Sequence, residues 1–184
     1  MKKSTEILLT FLSASWALLA CNKESIQTLY ASQESRIESF LDSQLSANPN
    51  AYVVSRDGTH RLVLADGSGD TLRADGNIAF RWAGYIMSGN NLSSSNLFGT
   101  NSLEIAEAAG WEPGDADAFR IEILQLSEAE LVPGLKKGLS GVRSGEESII
   151  LFSGKYGFGN KALGTIPANA ALAYHIWVES ISND

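Results

Sequence analysis

The chain of 184 residues is poor in the residues that most catalytic and metal chemistry needs. It has one cysteine, Cys21, which excludes an intrachain disulfide framework and any multi-cysteine metal site. Its two histidines, His60 and His175, are too few for a three-histidine zinc centre. Basic residues are scarce: 14 Lys and Arg face 21 Asp and Glu, a formal net charge of −7. That balance argues against a nucleic-acid binder, which would present a basic stripe. No apolar run reaches the roughly 20 residues of a membrane-crossing helix. What remains is globular in character. With 44% hydrophobic and 19% charged residues the chain is too apolar for disorder, and it is about one domain long.

The N-terminus reads as an address. Lys2 and Lys3 precede an apolar stretch from Ile7 to Ala20, diluted by Thr10, Ser13 and Ser15. Its length and flanks suit a secretory signal over residues 1–20. The following Leu18-Leu19-Ala20-Cys21 resembles the bacterial lipobox. The resemblance implies that Cys21 becomes the diacylated N-terminus of a lipoprotein, held in the cell envelope and associated with the periplasm or outer membrane. Two acyl chains anchor stably, since each buried methylene contributes about 0.8 kcal/mol. Loss of Lys2, Lys3 and Glu6 then takes the net charge from −7 to −8. The alternative is an ordinary signal peptide with a cysteine near its cleavage site.

Residues 21–50 are expected to form a tether and one helix. Ile26, Leu29, Tyr30, Gln33, Ile37, Phe40, Leu41 and Leu45 recur at near-helical spacing, and Asn48-Pro49-Asn50 ends the pattern. Such a helix either packs on its own domain or docks a partner. From residue 51 the period becomes two. Tyr52–Val54, Arg61–Leu64 and Ile78–Trp82 read as strands, separated by Asp57-Gly58, Asp66-Gly67 and Asp75-Gly76 turns. The stretch 85–118 looks like an insertion with a short helix over Ser102–Ala109. Phe119–Leu124 and Glu147–Phe152 suit strands, and Pro133–Gly141 suits a short helix with Pro in its first turn. Leu172, Tyr174, Ile176 and Val178 alternate with Ala173, His175, Trp177 and Glu179 in a half-buried last strand, which leaves His175 exposed. Several strands with one short central helix imply an α+β domain over 51–184. Asp66-Gly67-Ser68-Gly69-Asp70 lacks the distal Glu of a calcium loop and reads as a hairpin turn. Lys136 and Lys137 suit a solvated helix face.

Two ordered stretches carry a family resemblance. Leu131-Val132-Pro133-Gly134-Leu135-Lys136-Lys137-Gly138-Leu139 with Val142-Arg143-Ser144-Gly145-Glu146 is one. Lys155-Tyr156-Gly157-Phe158-Gly159 with Gly164-Thr165-Ile166-Pro167-Ala168-Asn169-Ala170 is the other. Both resemble the FKBP-type peptidyl-prolyl isomerases, and Phe80-Arg81-Trp82-Ala83-Gly84-Tyr85 resembles an upstream strand of that family. The resemblance implies an FKBP-like antiparallel sheet curled around one short helix. It also implies isomerisation of X–Pro bonds in proline-containing polypeptides, with no cofactor, no metal and no nucleic acid.

The chemistry is consistent with the absences. Peptide rotation has a barrier of about 18–20 kcal/mol from amide resonance, and only X–Pro bonds populate both isomers appreciably. A site needs to hold proline in an apolar slot and favour the twisted amide, so no nucleophile is required. Carried over residue by residue, the resemblance makes Trp82 the counterpart of a pocket tyrosine and Leu131 and Val132 an apolar pair. The Val132 N–H would bind a substrate carbonyl. Leu135 stands for a tryptophan floor, Phe158 replaces a loop tyrosine, and Ile166 and Tyr174 complete the wall. Phe119 matches an inner-strand aromatic. An aromatic–carboxylate pair aligns on Phe98-Gly99 or, without gaps, on Leu92-Ser93. Either way the acid is missing, which implies reduced activity. A second reading follows: the same fold kept as a weak or inactive chaperone-like binding module.

Overall fold

The computed structural model describes residues 3–183 apart from Asn90 and Pro113, with side chains described from Glu24 onward. Helix α1 (Lys3–Ala47) is followed by β1 (Tyr52–Arg56), β2 (Thr59–Ala65), β3 (Asn77–Ile86), β4 (Leu97–Thr100) and α2 (Leu103–Ala108). Then come β5 (Glu122–Gln125), α3 (Pro133–Leu139), β6 (Glu147–Phe152) and β7 (Leu172–Ser182). The seven strands form one antiparallel sheet in the order β1-β2-β6-β7-β3-β4, and β5 pairs the start of β3 on the edge that β4 takes further along. This is the α+β antiparallel sheet with an N-terminal helix that the sequence implied.

The sheet is covered on both faces. Ile78, Phe80, Ile150, Phe152, Leu172, Tyr174, Ile176 and Val178 face α3 and form one core with Leu135 and Leu139. The alternate residues, among them Ala83, Tyr85, Ile149, Leu151 and Ala173, form a second core beneath Ile37, Phe40 and Leu41 of α1. That i, i+3, i+4 triplet is the apolar stripe of a helix packed on its own sheet. Helix α3 lies close to β6 because Gly134 and Gly138 face it. A Cβ at either would run into the Phe152 ring or Ile150.

Three expectations need correction. No tether precedes the helix at residue 21: α1 continues unbroken from Lys3, because neither Gly nor Pro occurs before Pro49. The strand expected from Phe119 begins only at Glu122. Asp115 accepts a hydrogen bond from the Asp117 N–H (3.0 Å) and winds Ala116–Phe119 into a 3-10 turn. His175 is half-buried rather than exposed, because α1 covers that face. Its ring stacks on Trp177 at 3.9 Å and its Nε2 lies 2.8 Å from Glu147 Oε1.

Candidate active site

An open cavity of about 200 Å³ lies between α3 and the inner face of the sheet, lined by Phe80, Trp82, Glu122, Leu131, Leu135 and Tyr174. Period-two alternation brings Phe80 and Trp82 of β3 to this face together with Tyr174 of β7, one strand away. Tyr174 is the hub of the aromatic wall. Its ring centroid is 5.9 Å from Trp82, 5.6 Å edge-on from Phe98 and 6.0 Å from the roughly parallel Phe152. Such tilted and edge-to-face pairs are favoured over face-to-face stacking. Burial pushes the Tyr174 phenol up to about 12, so it stays a neutral donor.

The floor is fixed by α3. Val132 caps this helix, and its carbonyl accepts the Lys136 N–H at 3.1 Å. At the other end Arg61 of β2 donates to the carbonyls of Gly138 (3.0 Å), Ser140 (3.2 Å) and Gly141 (3.3 Å). A cation at the C-terminal carbonyls is favoured by the helix dipole. Glu146 lies 3.4 Å from Arg61, and both are buried. Lys136 is no free surface charge: its Nζ bonds the Ser127 and Ala129 carbonyls at 2.7 and 3.3 Å, tying α3 to the chain after β5.

The sequence-predicted residues separate into groups. Trp82, Leu131, Leu135 and Tyr174 line the cavity. Phe98 backs it through Tyr174, packed so closely on Gly84 that a Cβ there would enter its ring. Val132, Phe158 and Ile166 belong to the same apolar core without lining the cavity. Leu92, the other register, packs in the opposite core under α1. Phe119 is not brought to the site. It ends a 3-10 turn three residues ahead of Glu122, and its carbonyl accepts from Arg81 at 3.1 Å. Glu122 is the β5 residue at the cavity instead. The Cys21 side chain lies outside the described residues. Sequence reasoning missed Phe80 and Glu122. Phe80 was signalled by its i, i+2 relation to Trp82, and Glu122 by the same relation to Leu124.

Residues 120–179 match the sequence profile described as FKBP-type peptidyl-prolyl cis-trans isomerase. FK506-binding protein 1 of Aspergillus oryzae (strain ATCC 42149 / RIB 40) is 22% identical over 119 residues, 65% of this chain and 94% of that protein. Among solved structures, FkpA from Escherichia coli aligns over 97% of this chain and 72% of its own, with a TM-score of 0.56 at 14% identity. The N-terminal domain of FKBP42 from Arabidopsis thaliana aligns over 73% of this chain and 94% of its own, with a TM-score of 0.54 at 12% identity. The structural likenesses speak to the fold, and the sequence match to the chemistry. Residues 120–179 thus match the FKBP-type domain, and peptidyl-prolyl cis-trans isomerisation is the activity that this match supports.

Proposed function

We propose that this chain catalyses cis–trans isomerisation of X–Pro bonds in exported proteins while held in the cell envelope by a lipid on Cys21. The convergence of Trp82, Leu131, Leu135 and Tyr174 on one open apolar cavity carries the reading. A pyrrolidine ring fits such a slot, and the cavity's apolar walls strip water from the amide that the planar state uses for hydrogen bonding. The Val132 N–H, at the start of α3, donates to no described group, which supports a role for it in binding a substrate carbonyl. Catalysis is then differential binding of the twisted amide, with no covalent step. Reduced activity follows from the polar groups the site lacks: Phe158 has no hydroxyl, and Gly99 follows Phe98 where the family has a carboxylate. Each lost hydrogen bond of this kind costs about 1–3 kcal/mol.

The full chain in detergent micelles, assayed on a Leu-Pro peptide, is expected to speed relaxation that takes tens of seconds uncatalysed. Trp82→Ala and Tyr174→Ala should each lower kcat/KM at least tenfold. A rate equal to the uncatalysed one leaves the binding-module reading. The anchor has its own test: cells fed labelled fatty acid should mark the wild-type chain and not Cys21→Ala. Label on both, or on neither, overturns lipidation at Cys21.

A further inference from the structure

Glu122 is the one charged side chain lining the apolar cavity, and among the described residues it has no ion-pair partner. It pairs with Phe80 across β3 and β5, so its side chain shares the cavity face with Phe80 and Leu124. Leu124 packs into the core, while Ile123, on the opposite face, is 73% exposed. Strand period therefore aims Glu122 at the pocket's edge. The surrounding cations are engaged elsewhere: Arg120 with Asp117 at 2.7 Å, Arg81 with Glu179 at 3.6 Å, and Lys136 with the Ser127 and Ala129 carbonyls. No described hydrogen bond or ion pair involves the Glu122 carboxylate. An uncompensated anion at the rim of a greasy slot has little to do for folding and much to do for selection. A ligand that fills the slot brings its flanking residue to this carboxylate, where a cation is attracted and a second anion repelled.

We propose that Glu122 is a specificity-determining residue, which makes the pocket prefer prolyl segments carrying Lys or Arg beside the proline over those carrying Asp or Glu. The inference rests on the isomerase reading for its location and extends it to the substrate class. Its magnitude is that of a solvent-accessible ion pair, a preference of about three- to fivefold, reduced as salt rises.

The test uses the full chain in micelles and peptides that differ only in the residue before proline: Lys, Leu or Glu. Wild type should rank them Lys, then Leu, then Glu in kcat/KM, with the spread narrowing at high ionic strength. Glu122→Gln should bring the Lys and Glu peptides together, so that the ratio of their kcat/KM values falls to about one. Glu122→Lys should invert the order. A wild-type ranking that persists in Glu122→Gln, or no charge preference at all, overturns the proposal. If no peptide is turned over, the isomerase reading falls, and the same series read as binding affinity by isothermal titration calorimetry decides the Glu122 proposal by the same ranking.

Discussion

Trp82 and Gly99 occupy one space from two strands. A Cβ at Gly99 would come within 3.0 Å of Trp82 Cη2 and 3.3 Å of Cζ3. The indole thus fills volume that a side chain at residue 99 would need. Placing an acid at residue 99 alone should therefore be disruptive. Gly99→Asp is expected to lose about 1–3 kcal/mol of stability through overpacking, and kcat/KM should fall with the displaced ring. Trp82→Tyr combined with Gly99→Asp should recover stability with a favourable coupling of about 0.5–3 kcal/mol, and exceed wild-type kcat/KM. Urea unfolding of the four proteins of this cycle, with the Leu-Pro assay, measures both. Additive losses mean that the two positions do not share space.

Helix α1 reaches the glycine-rich loop after β6 through the buried Gln33 amide and the Tyr30 hydroxyl. Gln33 Nε2 donates to the Asn169 carbonyl at 2.7 Å, and its Oε1 accepts the Gly154 N–H at 2.9 Å. Tyr30 adds a hydroxyl bond to Asn169 Oδ1 at 2.8 Å, at a residue whose φ of 59° suits Asn. These bonds close the glycine-rich loop that holds Phe158 and Ile166. Gln33→Leu leaves a buried donor and acceptor unpaired and is expected to cost about 2–5 kcal/mol. Amide exchange over 154–169 should accelerate while exchange in β6 tracks the global loss. Uniform acceleration across the sheet would show no local role for the clamp. The sequence displayed Gln33 only as a polar break in an apolar stripe, since its partners are more than 120 residues away. The same reason separates what was legible from what was not. α3 with its Pro start and the alternation of β7 are local patterns, and four of the nine carried-over positions line the cavity. His175 looked solvent-facing because alternation cannot reveal that a distant helix covers the polar side of a strand. Phe119 was matched to the site as the counterpart of an inner-strand aromatic, and the Asp115–Asp117 turn takes it away from the cavity.

On the scale of the whole molecule, two buried groups pull its pH dependence in opposite directions. Burial lowers His175 from 6.5 against the opposing pull of Glu147, so the unfolded chain binds this proton more tightly. The stability contribution of neutral His175 is present above the unfolded value and is lost as pH falls through the folded one. Glu146 behaves in the reverse sense. Burial raises it from 4.5, more than Arg61 lowers it, so the folded chain binds that proton more tightly. Its contribution is present below the unfolded value and is lost as pH rises through the folded one. Between about pH 4.5 and 6.5 the two slopes oppose each other and flatten the curve of the intact protein. His175→Gln should therefore shift the slope of unfolding free energy against pH in the negative direction, and Glu146→Gln should shift it in the positive direction. Each comparison is made with wild type, so carboxylates common to all three proteins cancel. Because Glu146→Gln leaves Arg61 without its charge partner, that variant is also expected to be less stable at every pH, and only its slope reports on Glu146. Urea midpoints at half-unit intervals supply the three curves. Parallel curves would mean that neither group changes its proton affinity on folding, and that the burial of α1 and α3 on the two faces of the sheet carries no pH dependence.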